Sequence, residues 1–302
     1  MSTTSSLAPA RTGAVLRGYV ALTKPRVIEL LLVTTVPVMV LAQGALPNVW
    51  LVLATVAGGT LSAGSANTFN MVIDRDIDTV MGRTQSRPLV TGEITPRAAL
   101  IFASVLAALS ISLLWWLTTP LAALLSAAAI AFYVFIYTMW LKRRSEQNII
   151  WGGIAGCFPV LIGWAAVTGS LSVEAWILFL VVFLWTPPHY WPLSMKYRDD
   201  YESARVPMLA VVREAPVVGM QVILYAWATV VASLLLIPLA PMGILYSVIA
   251  MTTGGWFIVE SHRLYARALA GEETQPMRVF GASITYLTLL FVSVGIDPLL
   301  PW

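Results

Sequence analysis

Long apolar runs broken by short polar connections dominate this chain. Nine stretches are long and apolar enough for a membrane-crossing helix: about 27–45, 49–73, 97–117, 119–141, 149–170, 174–195, 216–239, 242–261 and 278–297. The connections between them alternate in character. Those near 44–49, 118–120, 170–174 and 239–242 are short and carry no Lys or Arg. Those at 74–97, 142–148, 196–215 and 262–278 are longer and hold the basic residues. The pattern predicts an all-α polytopic membrane protein, a nine-helix bundle occupying 17–302 as one domain. The Ser/Thr/Ala-rich start, 1–16, reads as a disordered tail and not as a cleaved signal.

Charge placement adds orientation. All 18 Lys and Arg fall in the N-terminal segment or in the four longer connections and their flanks. The positive-inside rule puts the N-terminus and those loops in the cytoplasm and the C-terminus outside, in the cell membrane. Of 15 acidic residues only Glu174 and Asp297 fall on the far side. Composition agrees, at 58% hydrophobic and 11% charged residues. The single cysteine, Cys157, excludes an internal disulfide and a Cys-based metal site. A one-sided polar cap over an apolar bundle suits an amphiphile that keeps its head in water and its tail in lipid. A transporter would instead place polar or broken-helix features near the midplane.

The richest polar stretch follows the second span. Asn70, Asp74 and Asp78 recur at i, i+4 and i+8 and share one helical face, while Asp76 points the other way. Two carboxylates and an amide oxygen at a helix mouth cost desolvation energy unless something cationic sits among them. Oxygen-only ligation with room for water suits Mg²⁺, which so held usually grips a diphosphate. Arg83 and Arg87 lie one and two turns onward and could hold the same anion. The competing reading is a solvated helix end in which Asp74 pairs with Arg75 and Asp78 with Arg83.

Other polar features lie on the same side. Lys24-Pro25-Arg26 sits at the surface before the first span, either as an interfacial anchor or as part of a site. Lys142-Arg143-Arg144 ends the fourth span, as a topology signal or as anion contacts. The sixth span ends in Trp185-Thr186-Pro187-Pro188-His189-Tyr190-Trp191-Pro192, whose three prolines are expected to break or kink the helix. His189 is then either a hydrogen-bonded structural residue or a substrate contact. Asp199 and Asp200 form a second acidic patch four helices after the first, consistent with two divergent four-helix halves plus a ninth helix.

These residues together resemble the UbiA superfamily of intramembrane prenyltransferases, through Asn70-x-x-x-Asp74-x-x-x-Asp78, the second acidic loop and the nine spans. More narrowly they look like its haem O synthase branch. That likeness rests on Leu22-Thr23-Lys24-Pro25-Arg26-Val27, Arg87-Pro88-Leu89, Gln147-Asn148-Ile149, Gly163 to Gly169, Trp185 to His189, and Asp199 through Leu209. It covers about 18–215; the last three spans match in topology alone.

The resemblance implies transfer of a farnesyl group from farnesyl diphosphate to a vinyl carbon of haem b, with addition of water and Mg²⁺ as cofactor. It implies catalytic and metal-binding roles for Asn70, Asp74 and Asp78, with Asp200, and with it Asp199, at a second ion. Arg83, Arg87, Lys142 and Lys196 would neutralise diphosphate. His189, Trp185, Lys24, Arg26 and Arg143 would meet haem. Membrane lipid surrounds the substrates, and haem A synthase or terminal-oxidase assembly factors are the implied protein partners; no nucleic acid is expected. Two departures stand out. Lys196 occupies the place four before Asp200 where many members carry aspartate, and Arg205 stands where the branch leads one to expect glycine. The alternatives are a prenyltransferase for another acceptor, such as a quinone precursor or chlorophyllide, and a non-catalytic haem-binding protein or transporter. The Trp-Thr-Pro-Pro-His segment speaks against the first. The paired carboxylates at a helix mouth speak against the second.

Overall fold

A computed structural model describes residues 12–301; within it, the side chains of residues 12, 14 and 26–32 lie outside the described set. The expected tail therefore falls largely outside it, and its last residues belong to a helix, α1 (Thr12–Leu22). The helices then run α2 (Pro25–Gln43), α3 (Val49–Ile73), α4 (Arg75–Val80), α5 (Pro96–Leu117), α6 (Pro120–Ala131), α7 (Asn148–Gly152) and α8 (Ile154–Thr168). They continue with α9 (Val173–Lys196), α10 (Arg198–Ser203), α11 (Leu209–Val212), α12 (Ala215–Leu234), α13 (Leu236–Leu239), α14 (Ile244–Ala270) and α15 (Pro276–Ile296). Between α6 and α7 the chain continues as a π-helix, Phe132–Leu141.

Among the described residues eight helices are long and apolar enough to cross a membrane, and α2 adds a described apolar stretch, Val33–Gln43. This is an integral membrane protein. Local chemistry sets several boundaries. Thr95 and Thr119 each precede a proline and accept a backbone N–H, from Ala98 and Ala122, so that α5 and α6 start on Thr-Pro caps. At the far end of the bundle the carboxylate of Asp297 accepts from the backbone N–H groups of Gly243 and Tyr246. One of the two far-side acids thus anchors the N-terminus of α14, where the helix dipole favours an anion.

Four helices form a closed inner ring: α2 packs on α8, α8 on α9, α9 on α15, and α15 back on α2. On one side α3 and α6 lean against this ring, with α5 packed on both of them, and on the other α12 and α14 do. The ring helices approach closely through glycine. A Cβ on Gly295 would lie 3.0 Å from the Pro37 backbone, and one on Gly163 would lie 3.0 Å from the Thr35 carbonyl oxygen. Large apolar side chains such as Trp50, Trp116 and Leu124 are exposed on the outer helices, as a lipid-facing surface requires.

Of the two expectations for the triple-proline segment, the break is not found. The helix does not break at the prolines: α9 runs from Val173 to Lys196 through Pro187, Pro188 and Pro192. All three rings are buried, and α12 and α15 pack along this helix, so tertiary packing overrides the local penalty.

Candidate functional site

The polar cluster begins where α3 ends. Asp74 is the hinge residue between α3 and α4, with non-helical torsions (φ −89°, ψ 10°), yet its N–H still bonds Asn70 O and its carbonyl still accepts from Asp78 N, each at 2.9 Å. The helical register survives the junction and puts Asn70, Asp74 and Asp78 together; all three are buried. Asp76 turns outward, 66% exposed.

Each of the three side chains meets a cationic side chain. Lys142 pairs with Asp74 Oδ2, the oxygen that also accepts from Asn70 Nδ2 at 2.7 Å. Arg87 reaches Asp78 Oδ2 at 2.6 Å, and Lys24 Nζ donates to Asn70 Oδ1 at 2.9 Å. Neither Asp74–Arg75 nor Asp78–Arg83 pairing is formed among the described residues. Burial, followed by the charges of Arg87 and Lys142, pushes the Lys24 ammonium down to about 7. Lys24 adopts a left-handed backbone (φ 52°) ahead of Pro25, an uncommon conformation for a side chain of this kind. That strain sits at the cluster, as backbone strain at functional sites tends to.

The π-helix delivers the other side of the cluster. Its wide turns bond Lys142 N to Tyr137 O and Thr138 Oγ1 to Tyr133 O, five residues back, and Thr138 Oγ1 also accepts from Asn70 Nδ2. Arg143 bridges outward, with 2.7 Å bonds to both oxygens of Asp76 and a 3.5 Å contact to Asp74 Oδ1. Those bonds from Arg143 hold Asp76 down at about 2. Lys24 and Arg143, expected at haem, therefore lie on the Asn70–Asp76 segment, beside Lys142 and Arg87.

A second group stands beside the first. Asp200 Oδ1 accepts from Gly82 N at 3.3 Å, joining the later acidic patch to the turn after α4. Arg83 donates to Tyr201 Oη at 2.9 Å, stacks over the Tyr197 and Tyr201 rings, and through Tyr201 meets Tyr190 Oη at 2.9 Å. Asp199 and Lys196 are exposed and make no hydrogen bond or ion pair among the described residues. Arg26 lies among the side chains outside the described set.

His189 and Trp185 form a third group, with α15. The imidazole is stacked between Trp185 (centroids 4.1 Å apart) and Phe280 (4.6 Å). Its Nδ1 lies 2.9 Å from Ser283 Oγ, and Trp185 Nε1 donates to Ser283 O at 2.8 Å. The sequence pattern does not single out Thr138, Tyr201, Phe280 or Ser283. A serine inside an apolar span was the available signal for the last of these.

Oxygen-only donors fit a hard divalent cation. Among the described residues no cluster of three or more Asp, Glu, His or Cys forms, so an ion here would meet two carboxylates and an amide. Buried carboxylates paired with Lys142 and Arg87 thus lie at one end of an apolar helical bundle in a membrane protein. The chain belongs to the UbiA prenyltransferase family, whose pattern matches residues 31–284. It is 68% identical over 286 residues to a protoheme IX farnesyltransferase of Clavibacter michiganensis subsp. michiganensis, covering 95% of this chain and 94% of that one. In fold it is similar to a solved structure of digeranylgeranylglyceryl phosphate synthase (TM-score 0.77, 16% identity, 94% of this chain and 99% of that one). It is similar also to a UbiA homolog from Archaeoglobus fulgidus bound to DMAPP and Mg²⁺ (TM-score 0.65, 17% identity, 92% and 99%).

Proposed function

We propose that this membrane prenyltransferase transfers the farnesyl group of farnesyl diphosphate to a vinyl group of haem b, with addition of water, releasing diphosphate. The observation that carries the reading is the set of buried oxygens on Asn70, Asp74 and Asp78, each held by its own cation at one end of the bundle. The name and 68% identity of the Clavibacter relative support the acceptor. The polar end faces the cytoplasm, by the placement of Lys and Arg.

Asn70, Asp74 and Asp78 would hold Mg²⁺, with Asp200, tied to the turn after α4 through Gly82 N, as a further acid; the Archaeoglobus homolog is bound to DMAPP and Mg²⁺. Mg²⁺ bound there would neutralise charge on the leaving diphosphate. Lys142 and Arg87 would turn from the carboxylates, and Lys24 from the Asn70 amide, to the phosphoryl oxygens as the head enters, with Arg83 arriving from the tyrosine group. The allylic C–O bond breaks and its electron pair leaves on diphosphate. The vinyl π electrons form the new C–C bond to farnesyl, water adds to the resulting cation, and a proton leaves to solvent. The rings of Tyr133 and Tyr137, 5.2 Å apart on the π-helix, and that of Tyr190 would offer cation-stabilising faces. His189 and Trp185 would position the porphyrin.

Mass spectrometry of haem recovered after the purified protein meets haem b, farnesyl diphosphate and Mg²⁺ tests this. The expected product is haem heavier by one farnesyl and one hydroxyl group. Unmodified haem alongside prenylation of a quinone precursor would move the chain to another acceptor.

A further inference from the structure

We propose that Ser283, on α15, is a positioning residue that fixes the tautomer of His189 and so presents its Nε2 lone pair to the iron of a metalloporphyrin. The inference rests on the reading of this group as the haem end of the site. It follows from counting protons. Ser283 Oγ lies 2.7 Å from the carbonyl oxygen of Phe280, an acceptor that can only be met by the hydroxyl proton. The same Oγ lies 2.9 Å from His189 Nδ1 and has no second proton to give, so the imidazole must donate there. Nδ1 therefore carries the hydrogen, and Nε2 keeps its lone pair in the ring plane. Nε2 makes no hydrogen bond among the described residues.

The surroundings hold that edge in place. Trp185 and Phe280 cover both faces of the imidazole at interplanar angles of 16° and 25°, which blocks ring rotation and leaves the in-plane nitrogen as the free direction. Trp185 is itself tied to the Ser283 carbonyl. One residue of α15 thus grips both rings of α9, with its side chain on one and its backbone on the other. A donor fixed on the far nitrogen is the usual way a protein orients an imidazole ligand.

The test compares ferric protohaem IX with metal-free protoporphyrin IX, titrated by Soret absorbance into the full-length protein and three variants. Ser283→Ala is expected to weaken ferric protohaem roughly three- to ten-fold, the loss of one hydrogen bond, and to alter its Soret band. Metal-free porphyrin and farnesyl diphosphate should bind it as they bind the parent. Ser283→Thr keeps the hydroxyl and should bind ferric protohaem like the parent. His189→Ala should lose at least as much iron-porphyrin affinity as Ser283→Ala. Equal weakening of both porphyrins, or an unchanged haem titration for Ser283→Ala beside a weakened His189→Ala, overturns the role of Ser283 while leaving haem at the site. An unchanged His189→Ala overturns it together with the haem reading of this group.

Discussion

Asp74 and Lys142 are the pair whose removal should separate folding from chemistry. Asp74 is wholly buried and the Lys142 side chain is only 14% exposed. Substituting Asp74→Asn strips the counter-charge from Lys142, and breaking a buried pair in this way costs about 3–5 kcal/mol. The reverse change should be milder. In Lys142→Met the carboxylate keeps Asn70 Nδ2 at 2.7 Å and Arg143 at 3.5 Å, so the loss is that of one charged hydrogen bond, about 1.5–3 kcal/mol. The double variant leaves neither charge stranded and should lie about 2 kcal/mol or more above the sum of the two singles. Unfolding in mixed micelles with increasing dodecyl sulfate, followed by circular dichroism, gives the three numbers. Turnover supplies the contrast: the double variant should recover stability and none of the activity. Additivity within about 0.5 kcal/mol would show that the two side chains do not depend on each other. An Asp74→Asn no costlier than Lys142→Met would refute the asymmetry argued from the remaining partners.

Other changes test separate features. Asp78→Asn, or removal of divalent ions with EDTA, should abolish farnesyl transfer while the circular dichroism spectrum is kept; near-parental turnover in EDTA would remove Mg²⁺ from the proposal. Arg205→Gly should raise stability by about 0.5–1 kcal/mol, because the backbone there is left-handed at φ 53° and glycine adopts that conformation without steric cost; a lower midpoint in the same unfolding assay would contradict it. Asp297→Ala should cost about 1–2 kcal/mol by stripping the α14 N-terminus of its acceptor, with no change in farnesyl diphosphate affinity measured on the folded protein. A reporter fused after Trp302 should be active only outside the cytoplasm.

The bundle was legible because lipid permits few alternatives: apolar runs of spanning length had to become helices, and the long helices match the expected spans within a few residues, except that the one expected at 242–261 runs on to Ala270. The acidic face was legible because i, i+4, i+8 spacing survives even where α3 gives way to α4 at Asp74. The left-handed backbone at Arg205 was foreshadowed by the expectation of glycine there. Proline chemistry misled, since the penalty at Pro187, Pro188 and Pro192 is local while the packing that offsets it comes from α12 and α15. Partner choice was the least legible level. Nothing along the chain says that Lys24 reaches 46 residues ahead to Asn70, or that Ser283 meets an imidazole 94 residues behind it. Those distances in sequence close only in the folded ring.

The π-helix at Phe132–Leu141 ties the location of Lys142 to chain length as much as to residue identity. Removing one residue from that stretch would let it relax toward ordinary helical winding, and everything beyond would rotate by about 100°. Lys142 would then leave Asp74 and Thr138 would leave Asn70, although every named side chain were still present. Substitution scanning of its exposed positions, Phe135, Ile136, Met139 and Trp140, would report a tolerant apolar surface. Deletion scanning would report an essential segment. A relative that matches this chain residue for residue but carries a single gap here should be expected to have lost the cluster's cation, or to have recruited another from a different turn.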